Sequence, residues 1–193
     1  MQQHGEKAFW DWFQANDERL YNFERDQKHT FDLLQSELRK VDKDLTFELG
    51  PIENGRREFI ISADGIRESF PKVESLYAAA PALPRWKVVK YRPRREPMDI
   101  ALAGLRVDWH TVVVDLQPHG DKMDLTMYLP GYSEHTQDNY KGVAFLFLDQ
   151  ALGEYDVETK VGYIELKARN EASPRALPLN QLPTAFDKLL KPN

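Results

Sequence analysis

An α+β fold with a mainly antiparallel sheet of about six strands is the architecture this sequence predicts. Apolar residues recur at helical spacing through roughly the first forty positions. Further on they alternate with polar residues in several short stretches, and the order strand, hairpin, strand, helix, strand occurs twice.

Phe9, Trp12 and Phe13 stand at i, i+3, i+4. Leu20, Phe23, Phe31, Leu34, Leu38 and Val41 continue the stripe, with a break expected at Asn16-Asp17. The period then shortens to two: Leu45, Phe47 and Leu49 alternate with Thr46 and Glu48. Asn54-Gly55 supplies the left-handed residues of a tight hairpin, and 57–62 is the return strand. A short helix follows Ser69 with Phe70, Val73, Leu76, Tyr77 and Ala80 inward, and Pro81 and Pro84 end it. Residues 86–92 read as a strand closed by Pro93, and 93–104 as a connection with a short strand or helical turn near 98–103.

Alternation returns at Val112, Val114 and Leu116, turns at 118–121, and comes back through Met123, Leu125 and Met127. Tyr140, Val143, Ala144, Phe147, Leu148, Ala151 and Leu152 make the stripe of a long helix over 136–152, with Gly153 closing it. Residues 160–167 read as a last strand, 169–181 as a loop and 182–190 as a terminal helix. One domain, 1–193, is expected: a helical segment 1–43, ββαβ units at 44–92 and 111–167, and a tail 168–193.

The two ββαβ units can be laid side by side. Phe47-Glu48-Leu49 falls on Val114-Asp115-Leu116, and Phe59-Ile60-Ile61 on Leu125-Thr126-Met127, an offset of about sixty-seven residues. Each unit leaves one sheet face and one helix stripe apolar, so the two are expected to share a core. Glu48 and Asp115 then fall on the far face, where a paired-carboxylate site is conceivable and a solvated sheet face accounts for them better.

The chain has 193 residues, no cysteine and a formal charge of −5. Disulfides, zinc–thiolate sites, iron–sulfur clusters and thiol catalysis are therefore excluded, and a cytoplasmic location fits. The net charge argues against non-specific nucleic-acid binding. The longest apolar run, 143–148, falls far short of the roughly 20 residues that span a bilayer, so no membrane partner is expected. The sequence opens without the basic and apolar regions of a secretory signal. No Walker loop, Gly-x-Gly-x-x-Gly or His-Glu-x-x-His spacing occurs, so no cofactor and no metal site is expected.

Two features carry candidate chemistry. Residues 85–95 hold six cations among Trp86 and Tyr91. Cations attract phosphate and aromatic faces stack on unpaired bases, so Trp86, Lys87, Lys90, Tyr91, Arg92, Arg94 and Arg95 are candidate contacts for RNA, single-stranded DNA or an acidic protein. A strand whose long stems cover apolar surface explains the same composition more simply. Four large rings crowd positions 9–13, and Trp10 is expected to face away from the others, either as a partner contact or in a helix sandwiched between core and loop. His110 beside Asp108 is the best placed of five histidines; with Asp108 or Asp64 it is the candidate base of a hydrolase.

Phe9-Trp10-Asp11-Trp12-Phe13, the turn at Ile61-Ser62-Ala63-Asp64-Gly65, Ala80-Pro81, Trp86 and Arg92-Pro93-Arg94 together resemble small uncharacterised bacterial proteins of the domain-of-unknown-function type. The resemblance covers the first half of the chain and implies no catalytic residue or cofactor. The leading expectation is a non-catalytic protein-binding or regulatory module; the alternatives are nucleic-acid binding through 85–95 and a hydrolase built on His110.

Overall fold

Three helices, α1 (Gln3–Ala15), α2 (Asp17–Tyr21) and α3 (Gln27–Val41), form before any strand. The computed structural model describes residues 3–102 and 104–190, and the side chains of Gln3 and His4 lie outside that description, as does Ala103. The fold mixes helix and sheet, and the chain divides into two compact units, Met1–Arg92 and Pro93–Asn193. Among the described residues no helix is long and apolar enough to cross a membrane.

In the first unit β1 (Thr46–Glu53) and β2 (Arg56–Ser62) form an antiparallel hairpin, turned by Asn54 and Gly55 at φ of 50° and 74°. This left-handed pair matches the right-handed strand twist, as the Asn-Gly dipeptide requires. Helix α4 (Phe70–Ala78) then crosses over, and β3 (Trp86–Lys90) joins β2 in parallel, giving the order β1-β2-β3. Phe59 and Ile61 project from β2 and Trp86 from β3 into a core closed by Phe9, Trp10 and Phe13 of α1, Leu34 and Leu38 of α3, and Val73 and Leu76 of α4. Phe13 meets Phe59 at 4.9 Å and Trp86 edge-on at 4.8 Å between ring centroids, an arrangement that adds about 0.5–1.5 kcal/mol per pair beyond area burial.

The second unit opens with a small hairpin, β4 (Ile100–Leu102) and β5 (Leu105–Val107). Strands β6 (Val113–His119) and β7 (Lys122–Leu129) form a longer hairpin. Helices α5 (Gln137–Leu152) and α6 (Glu154–Lys160) cross over to β8 (Val161–Ala168), which lies parallel to β7. A two-residue β9 (Leu177–Pro178) completes the order β8-β7-β6-β9 before α7 (Leu182–Leu190). Val114, Met123, Leu125 and Met127 face Val143, Phe147 and Leu148 of α5 and Phe186 of α7.

The strands therefore form three small sheets rather than one of six strands. The break has a local cause. Tyr91, at φ 62°, leaves the extended conformation directly after β3, and Pro93 and Pro97 withhold the amide donors a continuing ladder needs. Among the described residues the buried side chains form two clusters, one in each unit.

Within each sheet the pairing is equivalent. Phe47 faces Ile61, Glu48 faces Ile60 and Leu49 faces Phe59 in the first; Val114 faces Met127, Asp115 faces Thr126 and Leu116 faces Leu125 in the second. The parallel third strands match too, Phe59 with Val88 and Leu125 with Ile164. Glu48 and Asp115 thus occupy equivalent positions on different sheets and form no pair. Glu48 instead accepts from Arg92 at 2.6 Å, and Asp115 from the Tyr128 hydroxyl at 2.8 Å.

Candidate functional site

Five cations of segment 85–95, Arg85, Lys87, Lys90, Arg92 and Arg94, pair with carboxylates of the chain itself. Arg85 pairs with Asp17 and Glu18 and lies 4.3 Å over the Tyr21 ring. Lys87 reaches Glu58 at 2.7 Å, and Lys90 reaches Glu74 at 2.7 Å. Arg92 bonds Glu48 and Asp64. Burial works against the Arg92 charge, but the two carboxylates more than offset it, so its pKa is raised. Arg94 and Arg95 fall in the second unit, where Arg94 bonds Asp156 and Asp187 and the main-chain N–H of Arg95 donates to Gln150.

The aromatic candidates are core residues. Trp86 is buried, and its indole N–H donates to Asp17 at 2.5 Å. Tyr91 is buried against Phe70, and its hydroxyl donates to Glu74 at 3.0 Å. Rings enclosed on both faces have no surface for a nucleobase. The expectation of an outward Trp10 is corrected as well. It is 2% exposed and packs edge-on against Phe9 and Phe13, and its N–H donates to the Leu76 carbonyl at 2.8 Å. Helix α4 covers the flank of α1 that the single-stripe reading left to solvent.

The same cluster yields a pH-dependent contribution to stability. Glu74 lies below its ordinary pKa of 4.5, chiefly because Lys90 donates to it; burial opposes this, and the Tyr91 hydroxyl assists. A carboxylate whose folded pKa is depressed stabilises the fold above its unfolded pKa, and the stability is lost as pH falls through the folded value. Glu74→Gln is therefore expected to destabilise the first unit near pH 7 by about 0.5 kcal/mol, after allowance for its exposure, and by less near pH 3. Urea melts of both proteins at the two pH values measure the difference.

His110 and Asp108 do meet, Nδ1 lying 2.8 Å from Oδ1, with the imidazole stacked on Trp109. Asp108 is held below the usual carboxylate range, first by the His110 main-chain N–H and then by the ring. Asp99 joins them, so that three ligand-type atoms lie within 4.8 Å of one another. All three side chains are exposed, and Arg106 stands 3.7 Å from Asp99. The other carboxylate considered for His110, Asp64, belongs to the first unit and binds Arg92. The group has the donors of a weak, open cation site and lacks the enclosure that gives a general base its leverage.

One feature with the shape of a binding site is a groove of 720 Å³ between α1 and α4. Its two walls follow from helical spacing. Glu6, Trp10 and Gln14 recur every fourth residue along α1, and Pro71, Ser75 and Ala79 do so along α4 and its end. Trp10, Pro71, Ala78, Ala79 and Pro81 make the lining largely apolar. Glu6 is the polar anchor at 4% exposure: the Ser75 hydroxyl donates to it at 2.9 Å, and the Lys72 ammonium lies 3.8 Å away. A carboxylate can accept about four hydrogen bonds, so Glu6 retains acceptor capacity toward the groove. Lys7 and Asp11 also line the groove and neutralise each other at 2.6 Å. Glu6 was not identified from the sequence, because its partner is 69 residues away. Searches of family models, curated proteins and solved structures find no match to this chain.

Proposed function

We propose that this chain is a non-catalytic protein-binding module whose partner enters the α1–α4 groove. One observation carries the reading: an open, largely apolar groove with a buried carboxylate on its lining, the combination of apolar walls and few placed polar groups that marks ligand sites. The occupant is a peptide segment of a partner protein. It brings small apolar side chains to the Pro71–Ala79 wall and an N–H donor, from lysine, arginine or the main chain, to Glu6. Internal pairing of the 85–95 cations supports this reading over nucleic-acid binding, and exposure of the Asp108–His110 pair supports it over hydrolysis. The cysteine-free composition supports a cytoplasmic setting.

Selection of a displayed random-peptide library on the full chain tests the proposal. Enriched peptides are expected to share a donor beside small apolar residues. Ala78→Trp, which fills the groove from an exposed position, is expected to weaken their binding at least about tenfold, and Glu6→Gln by a similar factor. No enriched family, or peptides that bind Ala78→Trp as well as the parent chain, would overturn it.

A further inference from the structure

We infer that the free edge of β8 is a self-pairing surface, and that two copies of this chain join there in antiparallel register about Leu166. Strand β8 ends its sheet, pairing among the described residues only with β7. An open strand edge invites another strand, and proteins usually blunt it with proline, bulges or like charges. Here the irregularity is confined to the start of the strand, between the Met123–Val161 and Leu125–Ile164 pairs; from Ile164 to Ala168 the register is regular. No proline interrupts the strand.

Within one copy Glu165 and Lys167 pair with each other at 3.0 Å, and across a two-fold axis the same two charges can exchange partners. Glu165 and Lys167 lie on one face of the sheet, while Ile164 and Leu166 pack toward the core on the other. A two-fold axis normal to the sheet keeps the helices of both copies on one side. Through Leu166, that axis sets Glu165 of each copy opposite Lys167 of the other. A slide of two residues either way sets Glu165 against Glu165 or Lys167 against Lys167, which cross-strand pairing disfavours. Charge thus selects one register. The equivalent edge in the first unit, β3, carries Lys87 and Lys90 and no acid, so it offers no such match.

Two exposed rings lie near the edge. Phe145 of α5 is 44% exposed and Tyr163 is 65% exposed, and both line a 430 Å³ groove between α5 and β8 that includes Ile164 and Leu166. A second copy continues the sheet across the edge and brings its own Phe145 toward this opening, whose lining also holds Glu134, Gln137, Lys141 and Glu165. The isologous geometry closes at two copies.

Sedimentation equilibrium of the full chain tests the inference. The expected mass is twice the 22.5 kDa of one chain. Glu165→Lys places lysines opposite each other twice per dimer, and the dissociation constant is expected to rise about tenfold or more. Adding Lys167→Glu reverses both charges and is expected to restore dimerisation, which a merely misfolded or destabilised variant would not do. A monomeric parent chain, an unaffected Glu165→Lys variant, or a doubly exchanged chain that stays monomeric would each overturn it.

Discussion

Replacing Trp86 with alanine is expected to cost about 3–5 kcal/mol, a large part of the 5–15 kcal/mol that holds a typical domain folded. Trp86 is among the largest fully buried side chains of the first unit and touches Phe13, Tyr21 and Phe59 edge-on. Truncation removes its transfer free energy and leaves a void bounded by rings that cannot collapse into it. It also deprives Asp17 of its indole donor, although Arg85 still holds that carboxylate. Amide exchange in β2 reads the loss locally: protection of residues 59–61 is expected to fall by about two to three orders of magnitude. Trp86→Phe keeps most of the packing and removes the donor, so about 1–2 kcal/mol is expected. Lys87→Ala, next in sequence but exposed, is expected to change stability by no more than about 0.5 kcal/mol. If Trp86→Ala leaves β2 protection unchanged, Trp86 is not a core residue.

Arg94→Ala is expected to cost the second unit about 2 kcal/mol. Its Nε donates to the Leu152 carbonyl at 2.9 Å, at the end of α5 where carbonyls lack helical partners. One terminal nitrogen reaches Asp187 at 2.8 Å; the other bridges Asp187 at 2.9 Å and Asp156 at 2.6 Å. One planar fork thereby ties α5, α6 and α7, and the two carboxylates raise its pKa against the effect of burial. Arg94→Lys is expected to recover less than half of the loss, because a point ammonium cannot serve a helix-end carbonyl and two acids at once. Thermal melts of the three proteins give the comparison. Equal stability of the lysine and arginine forms would show that charge alone, without the fork, holds the helix ends.

Alternation at 45–49, 112–116 and 123–127 is a direct imprint of sheets with one buried face, and the Asn54-Gly55 turn places the return strand 57–62, whose consecutive Ile60 and Ile61 are both buried; the hairpins and their equivalent registers were legible in the sequence for these reasons. Shorter or flatter elements left no such imprint. Hairpin β4–β5 has three residues per strand, too few to show a period. Helix α6 has one buried apolar residue, Val157, and an exposed Tyr155, so no stripe marks it; the chain there is placed by its packing beside α5 and β8.

The candidate site was harder to read for a related reason. Cations declare themselves in sequence, but the carboxylates that neutralise them are distant: Glu48 is 44 residues from Arg92, and Asp187 is 93 from Arg94. A run that looks like a free basic strip therefore becomes a series of internal pairs. Trp10 misled because one helix was given one buried face, whereas α1 has the sheet on one flank and α4 on the other. Glu6 looked like an ordinary acid in the first turn of a helix.

The functional account turns on which side of the first unit meets its partner, and the tryptophan indoles report on it directly. The chain has four, at 10, 12, 86 and 109. In a nitrogen-15 labelled sample, a peptide from the library selection is to be titrated while the indole N–H resonances are followed. The expected result is a saturable shift of the Trp10 signal, with shifts at the Glu6, Ser75, Ala78 and Ala79 amides and a still Trp86. Shifts at Trp86 and the Lys87 to Lys90 amides, with Trp10 unmoved, would contradict the groove and return the interaction to the basic strand.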